Sequence, residues 1–339
     1  MKSRRYLSAL AASAGMLILI LDGKTALSGA AEGVELCLKT LIPSLFPFFV
    51  LSGVITDSLS GQNIPLLRPL GKLCRIPKGA EFLLGIGLLG GYPVGAQNIA
   101  QAYRSGSISK EDAERMIAFC NNAGPAFLFG ILSSAFSEFI LPWLLWGIHI
   151  LSAVAVGAVL PAVKQNTCSA HQQKPLSATK LLERAIQVMA VVCGWVILFR
   201  MALTFLERWI LWAFPETVRI AIAGLLELSN GCIQLQNAGS EGLRFLLAAV
   251  FLSMGGLCVT FQTLSVTRGL SLRTYFQGKL LQTAISVFLA LLAQMFFPAE
   301  ERLNVSATLI IITAIICLLL AAALRASKKS SSIPAPVGV

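Results

Sequence analysis

Apolar residues run in long blocks along this chain, and the blocks are separated by short polar stretches that are mostly basic. Blocks of about 20 apolar residues predict membrane-crossing helices. The first, 7–21, follows Lys2, Arg4 and Arg5 and is trailed by the small residues of 26–31. That arrangement fits a cleaved signal peptide or a retained first helix with its positive end in the cytoplasm; the many later blocks favour retention. The next block, 35–59, carries Pro43 and Pro47 in mid-segment, which predicts a kinked span or a re-entrant hairpin. Further blocks fall at 82–103, 115–136, 139–163, 185–206, 219–236, 243–266, 280–297 and 305–324.

Four of these blocks are interrupted. Gly90-Gly91-Tyr92-Pro93-Val94-Gly95 breaks the third and Asn121-Asn122-Ala123-Gly124-Pro125 the fourth. In the second half the run 224–231, which contains Glu227, Ser229 and Gly231, breaks one block, and Ser253-Met254-Gly255-Gly256, with Gln262 following, breaks another. The order of kinked segment, two broken segments and plain span thus occurs twice. It divides the chain into an N-terminal membrane helix (1–33), a first repeat (34–163), a polar linker (164–184), a second repeat (185–297), a C-terminal membrane helix (298–324) and a disordered tail (325–339). A broken helix in lipid must satisfy its freed backbone groups with protein, water or ligand, and paired interrupted helices in repeated halves point to a transporter's binding site. The expected fold is therefore an all-α polytopic membrane protein of about ten segments in two repeats, with broken helices and re-entrant hairpins. Counting every segment as a crossing puts both ends and the basic loops 68–78 and 268–279 inside, whereas the basic 164–184 linker falls outside. If the proline-bearing segment and its counterpart are re-entrant, the repeats are inverted. Charge alone leaves these topologies open.

Composition agrees with the pattern. Of 339 residues, 56% are hydrophobic and 13% charged, with mean hydropathy +0.76, against about 25% charge in ordinary globular chains. The net charge of +11 suits anionic headgroups; no basic helix or aromatic-interleaved patch points to nucleic acid. The eight cysteines form no CxxC pair and read as buried free thiols. His149 and His171 have no ligand-spaced neighbours, so no metal site is expected. There is no nucleophile with a nearby base and no phosphate loop, so the chain is not expected to be an enzyme or to carry a cofactor beyond a coupling ion, H+ or Na+.

Candidate chemistry concentrates at the breaks. Asn121 and Asn122 lie within an apolar run, where an unbonded polar group costs a few kcal/mol; they read as site residues, or as interhelical glue. Glu227 is the sole carboxylate within a broken segment and reads as a substrate ligand, ion ligand or proton carrier, or as the partner of a basic residue such as Arg200. Arg200 suits bidentate binding of a carboxylate, or snorkels to an interface.

The stretches GYPVGA, NNAGPAFLFG, Glu-x-Ser-Asn-Gly and Ser-x-Gly-Gly-x-Cys-Val-x-x-Gln, in that order, resemble the YlbJ-type sporulation integral membrane proteins (also called SpoVV), within the nucleoside-recognition or Gate-domain membrane proteins. The resemblance runs over roughly 36–266. It implies a layout similar to concentrative nucleoside transporters, with hairpins and unwound helices around a central site. It further implies transport of dipicolinic acid during endospore formation, in the cytoplasmic membrane and specifically the outer forespore membrane. Family site regions map onto Gly91, Tyr92, Pro93, Gly95, Asn121, Gly124, Pro125, Glu227, Ser229, Gly231, Ser253, Gly255, Gly256 and Gln262, to which Asn122 and Arg200 are added from the residues themselves. The third motif reads ELSNG here, with no threonine near Ser229–Asn230. The expected partners are a small solute and the bilayer, with homo-oligomerisation compatible. The rival readings are a nucleoside or other metabolite carrier of the same architecture, and a non-transporting sporulation scaffold; saturable uptake would separate a carrier from a channel.

Overall fold

The computed structural model describes residues 2–59, 62, 64–162, 177–298, 303 and 307–331. Helices α1 (Lys2–Leu21) and α2 (Gly23–Leu36) are separated at Asp22, whose carboxylate accepts the Thr25 N–H and caps α2. A π turn, Cys37–Leu41, joins α2 to α3 (Ile42–Leu59). These three pieces make one apolar stretch of 37 residues, Gly23–Leu59. Pro43 and Pro47 cannot donate to the helix ladder, and the wide π turn lies just upstream of Pro43, where such a lesion is absorbed without breaking the rod. The proline-bearing segment is therefore a continuous rod, not a hairpin.

After the short α4 (Arg68–Leu73), α5 (Phe82–Leu89) and α6 (Val94–Arg104) fold back on each other at residues 90–93. The proof is close contact between Gly87 and Gly95: a Cβ on Gly95 would stand 3.0 Å from the Gly87 Cα, although an uninterrupted helix would separate residues eight apart by about 12 Å. α7 (Lys110–Ile117) starts at Ser109, whose hydroxyl accepts the Asp112 N–H at 3.1 Å, the cap expected from the sequence. The chain then runs irregularly to α8 (Pro125–Gly130), and α9 (Ile140–Val159) completes the first half.

α10 (Ala178–Trp209) opens the second half. α2 lies directly on it, with Gly29 and Gly33 against the backbone of Met201 and Ile197; a boundary at 33/34 falls inside this packed rod. α11 (Glu216–Leu226) and α12 (Leu228–Gln234) fold back at Glu227, with Gly231 on Gly224. α13 (Glu241–Met254) and α14 (Gly256–Val266) form a long segment interrupted only at Gly255. α15 (Arg273–Ala293) and α16 (Ala307–Ser331) follow. All described residues are helix, turn or coil, with no strand among them.

Among the described residues, five stretches are long and apolar enough to cross a bilayer: Gly23–Leu59, Ile140–Val159, Ala178–Trp209, Glu241–Val266 and Arg273–Phe296, with shorter apolar helices at Ala12–Leu21 and Leu309–Arg325. The chain is thus a helical membrane protein whose hairpins α5–α6 and α11–α12 sit among longer rods. Most of the polar linker, with His171 and Cys168, and the tail beyond residue 331 lie outside the described residues.

The α15 span starts earlier than the apolar run suggests. The run 280–297 leaves Lys279 in a basic loop, whereas α15 carries Lys279 inside the protein at 2% exposure. Arg115, at the head of another apolar run, is also buried, and its guanidinium donates to the carbonyls of Cys74, Arg75, Gly157 and Leu160. It ties the end of α4 to the end of α9. Cys37, Cys74, Cys120, Cys232 and Cys258 are free and buried, and burial pushes the Cys74 thiol up to about 11.

Candidate functional site at the helix breaks

Each hairpin holds a notch between two glycines, and a group from the following broken segment fills it. In the first, the Cys120 carbonyl oxygen would stand 1.9 Å from a Cβ on either Gly87 or Gly95. No side chain larger than hydrogen fits there, so these glycines serve close approach. In the second hairpin the Phe251 ring of α13 occupies the notch beside Gly224 and Gly231. The breaks themselves then meet. Gly91 packs on Gly124, while Gly256 packs on the carbonyls of Gly224 and Leu225. Gly255 and Gly256 have φ of +76° and +73°, a left-handed conformation open to glycine without strain.

Polar contacts made by Tyr92, Asn121 and Asn122 help join the two halves. The Tyr92 hydroxyl donates to the Leu252 carbonyl at 3.1 Å, and its ring lies against Gly255. Asn121 accepts the Ala96 N–H through Oδ1 (3.3 Å) and donates from Nδ2 to the Thr263 hydroxyl (2.9 Å). Asn122 donates to the Phe119 carbonyl (2.7 Å), and its Oδ1 accepts from Gln282 Nε2 (3.0 Å) and Lys279 Nζ (3.4 Å). Both asparagines are fully buried and bonded, to different helices. The Ala123 N–H is taken up by His149 Nε2 at 3.1 Å.

Between the breaks lies a small cavity of about 30 Å³, room for about two waters, so a solute enters it only as the walls part. Six of the residues singled out in the sequence line it: Gly91, Tyr92 and Gly124 from the first half, Glu227, Ser229 and Gln262 from the second. Its remaining walls are largely apolar, with Leu41, Leu45, Phe127, Val192, Val196 and Val259 among them. The other candidates stand behind this surface. Pro93 caps α6, Pro125 opens α8, and Gly95 and Gly231 make the notches. The Ser253 hydroxyl is bonded to the Ala249 carbonyl, and Gln262 donates to the Cys258 sulfur at 3.3 Å.

Glu227 is both a cavity residue and the cap of α12. One carboxylate oxygen accepts the Ser229 N–H (3.1 Å) and the other the Asn230 N–H (2.8 Å) and Asn230 Nδ2 (2.7 Å). Three N–H donors converging on one buried acid suit the acceptor-only carboxylate. Arg200 requires a correction: it does not reach the cavity or Glu227. Its guanidinium is held by Glu32 of α2, with Nε at 2.8 Å, and by Glu207 at 3.3 Å. A long side chain on the outer face of α10 meets the acids packed beside it first.

Lys279 and Gln282 are the functional-site neighbours that the sequence reading passed over. Lys279 Nζ donates to Tyr92 Oη (2.9 Å), Gln282 Oε1 (2.8 Å) and Asn122 Oδ1 (3.4 Å), and lies over the Tyr92 and Tyr275 rings. A signal existed: Tyr275, Lys279, Gln282 and Ser286 fall at i, i+4, i+7 and i+11, a single helical stripe of polar groups in an apolar block. Ser286 continues it by bonding Ser152 of α9 at 2.9 Å.

The fold and cavity define a class: a polytopic helical membrane protein built on helical hairpins and interrupted helices around a buried polar-apolar site. No family model matches the chain, and no solved structure matches it. It is similar to the sporulation integral membrane protein YlbJ of Bacillus subtilis (strain 168), at 29% identity over 49% of this chain and 48% of that protein. The matched stretch thus spans about half the length of the relative, and the YlbJ-type kinship expected from the four motifs is supported by it. The chain is a helical membrane protein that resembles a sporulation membrane protein over about half its length.

Proposed function

We propose that this chain is a carrier of a small polar or anionic solute, with dipicolinic acid as its cargo during endospore formation, and that the cavity between the helix breaks is the solute site. The observation that carries the reading is that breaks from both halves line one cavity, 91–92 and 123–124 from the first and 227–229 from the second, with Val259 and Gln262 of α14 beside them. Hairpin, broken segment and rod follow one another as α5–α6, α7–α8, α9 and again as α11–α12, α13–α14, α15. This recurrence supports two repeats of the Gate-like kind, moving against each other around a fixed site. Glu227 has about four acceptor positions on its carboxylate, three of them occupied by N–H groups. The Ser229 hydroxyl also bonds this carboxylate, so a coupling H+ or Na+ binds at Glu227 by displacing one of these donors, which also relieves repulsion between a carboxylate and an anionic solute. Given the relative's name, the setting is a membrane of the sporulating cell, the outer forespore membrane in this reading.

Uptake into proteoliposomes tests this directly. Labelled dipicolinate should enter saturably and be displaced by unlabelled dipicolinate but not by nucleosides. Displacement by nucleosides would move the reading to a nucleoside carrier, and absence of any saturable uptake would remove transport altogether.

A further inference from the structure

Lys279 is a buried amine whose partners within hydrogen-bond distance are all neutral oxygens. It is 2% exposed, and its ammonium donates to a phenol oxygen and two amide oxygens. An ammonium has three donors and no acceptor, and here it meets three oxygens. The amides are turned to suit it: Gln282 presents Oε1 to the lysine and Nε2 to Asn122 Oδ1. A lysine in the middle of a membrane protein is costly, by about 3 kcal/mol on insertion scales, and marks function by default. Its bridging of α15 to the first two breaks needs only a neutral donor such as glutamine, so packing does not account for the charge. Its location does: Tyr92 accepts from Lys279, and Tyr92 also lines the cavity. Glu227 lines the same cavity from the second half.

We propose that Lys279, acting through Tyr92, is the specificity-determining charge of the cavity, which therefore takes a carboxylate-bearing solute with its negative group towards Tyr92. This rests on the reading of the cavity as a solute site. It replaces Arg200, held by Glu32 and Glu207, as the cationic partner of the anion. Tyr92 and the Asn122–Gln282 amides hold the ammonium in place; the Tyr92 proton is given to the Leu252 carbonyl, so it is the field of the ammonium behind the ring, and not a hydrogen bond from the hydroxyl, that favours an anion over a neutral molecule of the same shape.

The test is binding by the purified full chain of pyridine-2,6-dicarboxylate and of its uncharged diamide, measured by calorimetry. Wild type should prefer the dicarboxylate. Lys279→Met, close in volume, should lower dicarboxylate affinity about tenfold or more and leave diamide affinity within twofold; Lys279→Arg should restore part of the preference. Tyr92→Phe, which keeps the ring but removes the oxygen next to the ammonium, should weaken the dicarboxylate preference in the same direction and guards against misfolding of the lysine variant. Equal losses for both ligands, or none, in folded variants would overturn the charge role while leaving the cavity as a solute site. Wild type binding neither ligand would overturn the cavity reading itself and this inference with it.

Discussion

Glu227 shows how one side chain serves two ends. Its carboxylate caps α12 and faces the cavity, so Glu227→Gln replaces an acceptor oxygen with a donor amide opposite N–H groups. Loss of such a cap costs about 1 kcal/mol, up to about 2. Thermal unfolding of detergent-solubilised protein should register this as a lower Tm. Transport should in addition lose its response to proton or sodium gradients; a variant that transports as wild type across both gradients would remove Glu227 from coupling. Arg200 makes the opposite case. Its partners are partly exposed, with side-chain exposures of 43% for Glu32 and 27% for Glu207, so screening limits the pair to about 1 kcal/mol. Arg200→Gln should lower the Tm slightly and leave KM for the solute unchanged, whereas a raised KM with unaltered Tm would restore it to the site.

At the level of elements, the hairpins depend on contacts shorter than any side chain allows. Gly87→Ala or Gly95→Ala places a Cβ 1.9 Å from the Cys120 carbonyl oxygen, and backbone cannot yield as a side chain would. These variants should part the first hairpin from the break at 118–124 and lose folded yield in size-exclusion chromatography. Gly147→Ala and Gly194→Ala, with nothing within 4 Å of the added carbon, should fold normally and gain up to about 1 kcal/mol from helix propensity. The contrast separates glycines that serve packing from those that do not, a distinction invisible in a chain with 28 of them. The positions of the four breaks were legible because glycine, proline and asparagine interrupt apolar runs. Which breaks fold back and which pass through was not, because it depends on the glycine partner seven or eight residues away.

For the molecule as a whole, the decisive property is access to the cavity. Cysteine placed at Val196, a wall residue on α10, in a background with Cys168, Cys193 and Cys317 replaced by serine, should react with a small thiol reagent. Dipicolinate should protect it, because the solute would occupy the space that Val196 lines; unchanged labelling at saturating dipicolinate would place the solute elsewhere. The remaining described cysteines, other than Cys193 and Cys317, are buried and none lines the cavity, so they should stay silent in this assay.

The sequence by itself determined the membrane class, the helical content, the sites of interruption and six of the cavity's lining residues. Each follows from local causes: apolar run length, backbone restrictions at glycine and proline, and polar groups where lipid would exclude them. Only the tertiary structure decided which polar groups answer one another. Arg200 and Glu227 are equally buried charges on paper, yet one meets Glu32 across 168 positions and the other caps its own helix. Lys279 sits at the boundary of an apolar run and reads as a loop cation; it becomes an interior charge because α15 begins at Arg273 and turns that face towards Tyr92, 187 positions earlier. Helix phase and packing set such pairings, and neither is written in any one segment.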